Sequence, residues 1–170
     1  MWSGVLNGLV GAAERPVGAL VGGRDAPSEV ITPTSLERVD YVDRFTMSTV
    51  VSGTAEQWAR AMFGDEPSVG ERAIWQVLLG LRLAPGPSSG TVAGWPVTGR
   101  GPGWIRLETH APLLSANLVV AADDRTVSLT TALRYERPAG RWLWTPASAL
   151  HRALVPGVLR RAEHVVSASP

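Results

Sequence analysis

Three histidines, His110, His151 and His164, are the imidazoles this chain of 170 residues offers for proton transfer or metal binding. His151 and His164 lie thirteen positions apart on one predicted helix, about 19 Å along its axis, too far to share an ion that needs ligands at helical or hairpin spacing. No metal site and no cofactor are therefore expected. The chain has no cysteine, which removes thiolate ligands, thiol nucleophiles and disulfides and agrees with a reducing, cytoplasmic setting. No G-x-S-x-G elbow exposes a serine at a strand-to-helix turn, so a Ser/His/Asp hydrolase is disfavoured and no catalytic residue is assigned. Gly99-Arg100-Gly101-Pro102-Gly103 has the glycines of a phosphate loop but precedes a strand rather than a helix, and reads as a hairpin loop.

Alternation places Trp104, Arg106, Glu108 and His110 on one face of a strand, with Ile105, Leu107 and Thr109 on the other. Turned inward, the polar quartet would supply a cation, a carboxylate and an imidazole for proton transfer beside a carbonyl. Ile105 and Leu107 claim the core instead, which sends Arg106 and Glu108 outward to pair with neighbours such as Arg134. His151 follows Leu150 near the start of the terminal helix. It reads either as a ligand contact or as a hydrogen bond fixing that helix to the sheet, and Arg152 beside it reads as a surface charge. Of the seven tryptophans, Trp2, Trp58, Trp75, Trp95, Trp104, Trp142 and Trp144, core packing is the default. Trp95 and Trp144 are the two best placed to touch a ligand.

These side chains must be positioned by a short list of elements. From Asp40, Tyr41, Asp43, Phe45, Met47, Thr49 and Val51 alternate with Val42, Arg44, Thr46, Ser48 and Val50, which predicts a strand. Thr54-Ala55-Glu56-Gln57 and Ser68-Val69-Gly70-Glu71 are capping boxes. They open helices over Ala55 to Phe63, with Trp58, Met62 and Ala61 inward, and over Val69 to Leu81. Strands follow over Val92 to Thr98, Trp104 to His110, Leu114 to Ala121 and Val127 to Tyr135, separated by turn sequences that predict antiparallel hairpins. Val127, Leu129, Thr131, Leu133 and Tyr135 share one face and leave a wet one opposite. A short strand or extended link is expected at Arg141 to Trp144. Thr145 then caps a terminal helix with Pro146 at its first position, an inward stripe of Leu150, Leu154, Val158, Ala162 and Val165, and a kink or a division into two helical pieces at Pro156.

Residues 1–34 read as an N-terminal extension and linker, and residues 35–170 as one domain. The extension carries Trp2, Val5, Leu6, Leu9, Val10 and Ala13 at helical spacing, a stripe that would pack on its own domain, on a second copy in a homodimer, or weakly at a membrane surface. Met1 to Ala13 lacks the basic start of a secretory signal, and Glu14-Arg15-Pro16 interrupts any membrane span. Sixteen basic against fifteen acidic residues, all the basic ones arginine, give a net charge of +1 and no nucleic-acid footprint.

The order of strand, two helices, antiparallel strands and long terminal helix, with Trp142-x-Trp144, His151-Arg152-Ala153-Leu154-Val155-Pro156 and Leu159-Arg160-Arg161-Ala162, resembles the START-like helix-grip superfamily over about Asp40 to Val166. That broad group includes polyketide cyclases, lipid-transfer proteins and birch-pollen-allergen-like proteins, and the closest likeness is to its small bacterial families. The resemblance implies an α+β fold in which a curved antiparallel sheet wraps a long C-terminal helix, with two short helices after the first strand and an apolar cavity between sheet and helix. It also implies histidine at the position of His151. The expected activity is non-catalytic binding of a small hydrophobic or amphipathic ligand against Met47, Trp95, Leu118, Leu129, Leu133, Tyr135, Trp144, Leu150, His151, Leu154 and Val158. The alternatives are a cyclase-like or isomerase-like enzyme, with His151, Tyr135 or Arg106 protonating a carbonyl substrate, and a ligand-free interaction module.

Overall fold

The computed structural model describes residues 16–31, 33–64 and 88–169. The expected helix at Val69 to Leu81 and the N-terminal stripe, with the dimer contact drawn from it, lie outside the described residues. In chain order the elements are β1 (Val17–Gly22), α1 (Ser28–Ile31), β2 (Tyr41–Ser48), α2 (Ala55–Phe63), β3 (Thr91–Val92), β4 (Trp95–Gly101), β5 (Trp104–His110), β6 (Leu114–Ala122), β7 (Thr126–Tyr135) and α3 (Pro138–Ala168). The strands form one curved antiparallel sheet in the order β1-β2-β7-β6-β5-β4-β3, and α3 packs on β7, β2 and α2. The fold is α+β.

The strands form where apolar residues alternate. On the inner face Phe45 stands opposite Leu129, Tyr41 opposite Leu133, and Leu107 opposite Leu118. These side chains join Trp58 and Met62 of α2 and Val155, Leu159 and Ala162 of α3 in one core. Helix α2 starts at the capping box as read: the Gln57 amide donates to Thr54 Oγ1 at 3.1 Å and the Thr54 amide to Gln57 Oε1 at 2.8 Å. It stops at Gly64, whose φ of 77° suits a residue without Cβ.

The structure departs from the sequence reading in several places, one being that the single strand expected over Val92 to Thr98 is split by a turn at Ala93 and Gly94 into β3 and β4, the latter running on to Gly101. Val17–Gly22, read as part of the extension, is an edge strand paired with β2, and α1 lies within the expected linker. The outer face of the sheet is covered, not wet. Val30, Val39, Val42 and Ala132 make a second small core there, and Ser128, Thr130 and Asn117 are buried. No strand forms at Arg141 to Trp144: α3 begins at Pro138, where a missing amide costs nothing, and runs through Pro146 and Pro156. Thr145 is inside this helix, donating from Oγ1 to the Arg141 carbonyl at 2.8 Å. Finally, the inward stripe of α3 is Gly140, Trp144, Ser148, Val155, Leu159, Ala162 and Val166. Leu150, Leu154 and Val165 of the expected stripe point outward and are 54%, 54% and 47% exposed.

Candidate functional site

A polar cluster sits where α3 crosses β2 and β7. Alternation turns Tyr41 and Asp43 of β2 toward the helix, and antiparallel register sets Thr131 of β7 directly beside Asp43. From α3, Trp144, Ser148, His151 and Arg152 recur at intervals of three and four and so face the sheet together. Asp43 is wholly buried. Its Oδ2 accepts a 2.6 Å hydrogen bond from Tyr41 Oη and lies 3.2 Å from His151 Nε2, which is also 3.1 Å from Thr131 Oγ1. The Arg152 guanidinium donates from one nitrogen to Ser148 Oγ at 3.3 Å and Tyr41 Oη at 3.5 Å. Trp144 meets Tyr41 edge-on at 5.4 Å and tilts over His151 at 5.5 Å. Its indole N–H is buried with no hydrogen-bond partner among the described residues.

The electrostatics follow from this packing. Burial, reinforced by the hydrogen bond to the Asp43 carboxylate and by its charge, pushes the Tyr41 phenol far above its ordinary value, although Arg152 opposes the shift. Tyr41 is therefore a fixed hydrogen-bond donor. A carboxylate oxygen can only accept, so with Asp43 in that role the ring hydrogen of a neutral His151 is assigned to Nε2 and Nδ1 is left as the acceptor nitrogen. The His151 side chain is 21% exposed. A carboxylate-oriented imidazole that solvent reaches is suited to holding a polar group or moving a proton.

The structure distributes the expected site residues unevenly. His151 and Trp144 are in the cluster. Met47, Trp95, Leu118, Leu129 and Leu133 are buried in the main core, with Val158 and Tyr135 packed partly against it. Leu150 and Leu154 lie on the far side of α3. Arg152, read as a surface charge, belongs to the cluster. Sequence reasoning passed over Asp43, Tyr41 and Thr131 as functional groups. The available signal was an aspartate on the apolar side of a strand.

Arg106, Glu108 and His110 face outward, as Ile105 and Leu107 required. Arg106 donates to the Pro33 carbonyl at 3.2 Å and to Thr98 Oγ1 at 3.1 Å. Burial alone would raise the Glu108 carboxyl, but hydrogen bonds from Ser35 and Thr98 and the charges of His110 and Arg106 outweigh it and hold the group below its usual range. Arg134 pairs with Glu136 at 2.7 Å and Glu37 at 3.5 Å instead of with the quartet. An open pocket of about 610 Å³ lies on this side, lined among the described residues by Pro96, Thr98, Glu108, Thr109, His110, Ala111 and Pro112. None of the eleven expected ligand contacts lines it.

No protein-family model and no curated protein matches the chain. Among solved structures it is similar to the crystal structure of CalU16 from Micromonospora echinospora, at 10% identity over 91% of this chain and 96% of that one, with a TM-score of 0.34. A likeness so slight carries no functional argument, and the α+β assignment stands on the strand order and on the helix packed across it.

Proposed function

We propose that the domain binds a small hydrophobic or amphipathic molecule between the sheet and α3, with Asp43, Tyr41, His151 and Arg152 holding its polar end. The observation that carries this reading is the fully buried Asp43 carboxylate between the sheet and α3, bonded to Tyr41 and His151 with Thr131, Ser148 and Arg152 close by. Burying a charge costs several kcal/mol, and apolar side chains of similar volume often serve a core equally well. A polar cluster under an apolar helix therefore has a use in recognition that simple packing does not supply. Apolar area removed from water would provide affinity at about 25 cal/mol per Å², and the cluster would provide orientation.

Native mass spectrometry of the purified protein, followed by a screen of lipophilic molecules read by tryptophan emission and thermal shift, tests the proposal. Retention of a small molecule, weakened by H151A, is the expected result. A protein that keeps nothing and responds to no member of the screen overturns it. The Asp43–His151 contact also favours a second reading, an enzyme in which His151 Nδ1 takes a proton from a carbonyl substrate. Turnover with a bell-shaped pH profile that H151A abolishes would select that reading.

A further inference from the structure

The two ends of the sheet are built differently. At one end, among the described residues, the last strand β3 is two residues long, and β4 beside it carries Pro96, a register shift between Val97 and Gly99, and the exposed Arg100. Short strands, prolines, bulges and charges are the devices that keep a sheet edge from pairing with another chain. At the other end β1 has none of them. Its six residues, Val17–Gly22, hold no charge and no proline, pair in unbroken register with β2, and have no strand on their other side among the described residues. The backbone N–H and C=O groups that point away from β2 are therefore open to a further strand.

The side chains say which strand fits. Val17, Ala19 and Val21 stand opposite Met47, Phe45 and Asp43 and so share the α3 side of the sheet, with Gly18 and Leu20 on the other side. Ala19 is exposed, and Val21 is 51% exposed. Turned about a twofold axis through Ala19, a second copy of β1 sets Ala19 against Ala19, Val17 against Val21 twice, and Gly18 against Leu20 twice. Every pair keeps its own side of the sheet. Two β-branched pairs form on the α3 side, each leucine meets a glycine that leaves it room, and no charge faces its like. The strand is its own complement.

We propose that β1 pairs antiparallel with β1 of a second copy of this chain, centred on Ala19, so that two seven-stranded sheets join edge to edge. Main-chain bonds supply the contact and the valine pairs its register. A ladder this short lies below the ~1,200 Å² of a standard interface, so the dimer forms and dissociates with concentration. The inference does not depend on the ligand reading.

Sedimentation velocity of the full chain from about 5 to 500 µM tests it. A monomer–dimer equilibrium that shifts with concentration is expected. A19K and A19E each set like charges directly across the axis and should weaken the dimer by roughly fivefold or more. An equimolar mixture of the two should recover wild-type association, because a lysine then faces a glutamate. The site is exposed, and circular dichroism establishes that both variants are folded. A wild-type chain that stays monomeric throughout overturns the inference. So does a dimer that A19K and A19E leave unchanged, or one that their mixture fails to restore. L150E/L154E, on the outer face of α3, should dimerise as the wild type does, and a dimer lost in that variant would assign the contact to the helix and overturn it equally.

Discussion

Removing the Asp43 carboxylate is the most informative single perturbation. In D43A, Tyr41 Oη loses its 2.6 Å acceptor and keeps only Arg152 at 3.5 Å, while His151 Nε2 keeps only Thr131. A hydrogen bond to a charged group contributes about 1.5–3 kcal/mol. The short bond from Tyr41 belongs at the upper end of that range and the 3.2 Å contact from His151 at the lower, about 4–5 kcal/mol together. Relief from burying the charge returns a part of this, about 2 kcal/mol. The expected net loss is about 2–3 kcal/mol, or roughly 5–10 °C in unfolding midpoint for a domain of this size. D43N keeps the volume and an acceptor for Tyr41. It trades charge-assisted bonds for neutral ones while shedding the charge, so it should lie within about 1 kcal/mol of wild type. Thermal unfolding followed by circular dichroism at neutral pH reads both variants. If D43A unfolds at the wild-type temperature, the carboxylate does not hold the cluster together, and the ligand proposal loses its anchor.

Two further perturbations test other parts of the structure. Because Tyr41 is harder to deprotonate in the folded protein than in the unfolded chain, stability should hold up to about pH 10 and fall above it, by at most about 1.4 kcal/mol per pH unit for its one proton. Denaturant titrations from pH 8 to 11 should show a shallower alkaline decline in Y41F, with Tyr135, also raised by burial, leaving a residual slope. The two glycines of α3 should respond oppositely to alanine. A Cβ at Gly140 would stand 2.3 Å from the Leu113 carbonyl oxygen, so G140A should lose about 1–3 kcal/mol by overpacking. G157A meets no neighbour and should gain about 1 kcal/mol of helix propensity, both measurable by urea unfolding.

The sequence made the strands legible where one face is apolar and turns separate the runs. Trp104–His110 was read to the residue, and so was α2 from its Thr54 capping box. The facing of α3 was misread because hydropathy favours Leu150 and Leu154, whereas close packing on the sheet selects small residues, Gly140, Ser148 and Ala162, that hydropathy ignores. Strand β1 was missed because Val-Gly-Ala-Leu-Val-Gly has no alternation, and its pairing comes from the exposed edge of β2. Asp43 was placed on the correct face. Its partner His151 stands more than a hundred positions away on α3, and only the packing of that helix across the β2–β7 register joins them.

That register also governs the order of assembly. Strands β4 to β7 are each joined to the next by a short turn, so their contacts close within a few tens of residues and cost little chain entropy. Tyr41 instead meets Leu133 about ninety residues later, and β2 must wait for β7 and then for α3. During synthesis the first third of the protein leaves the ribosome with its long-range pairing partner not yet made, so the emerging chain carries an unsatisfied strand until translation is nearly complete.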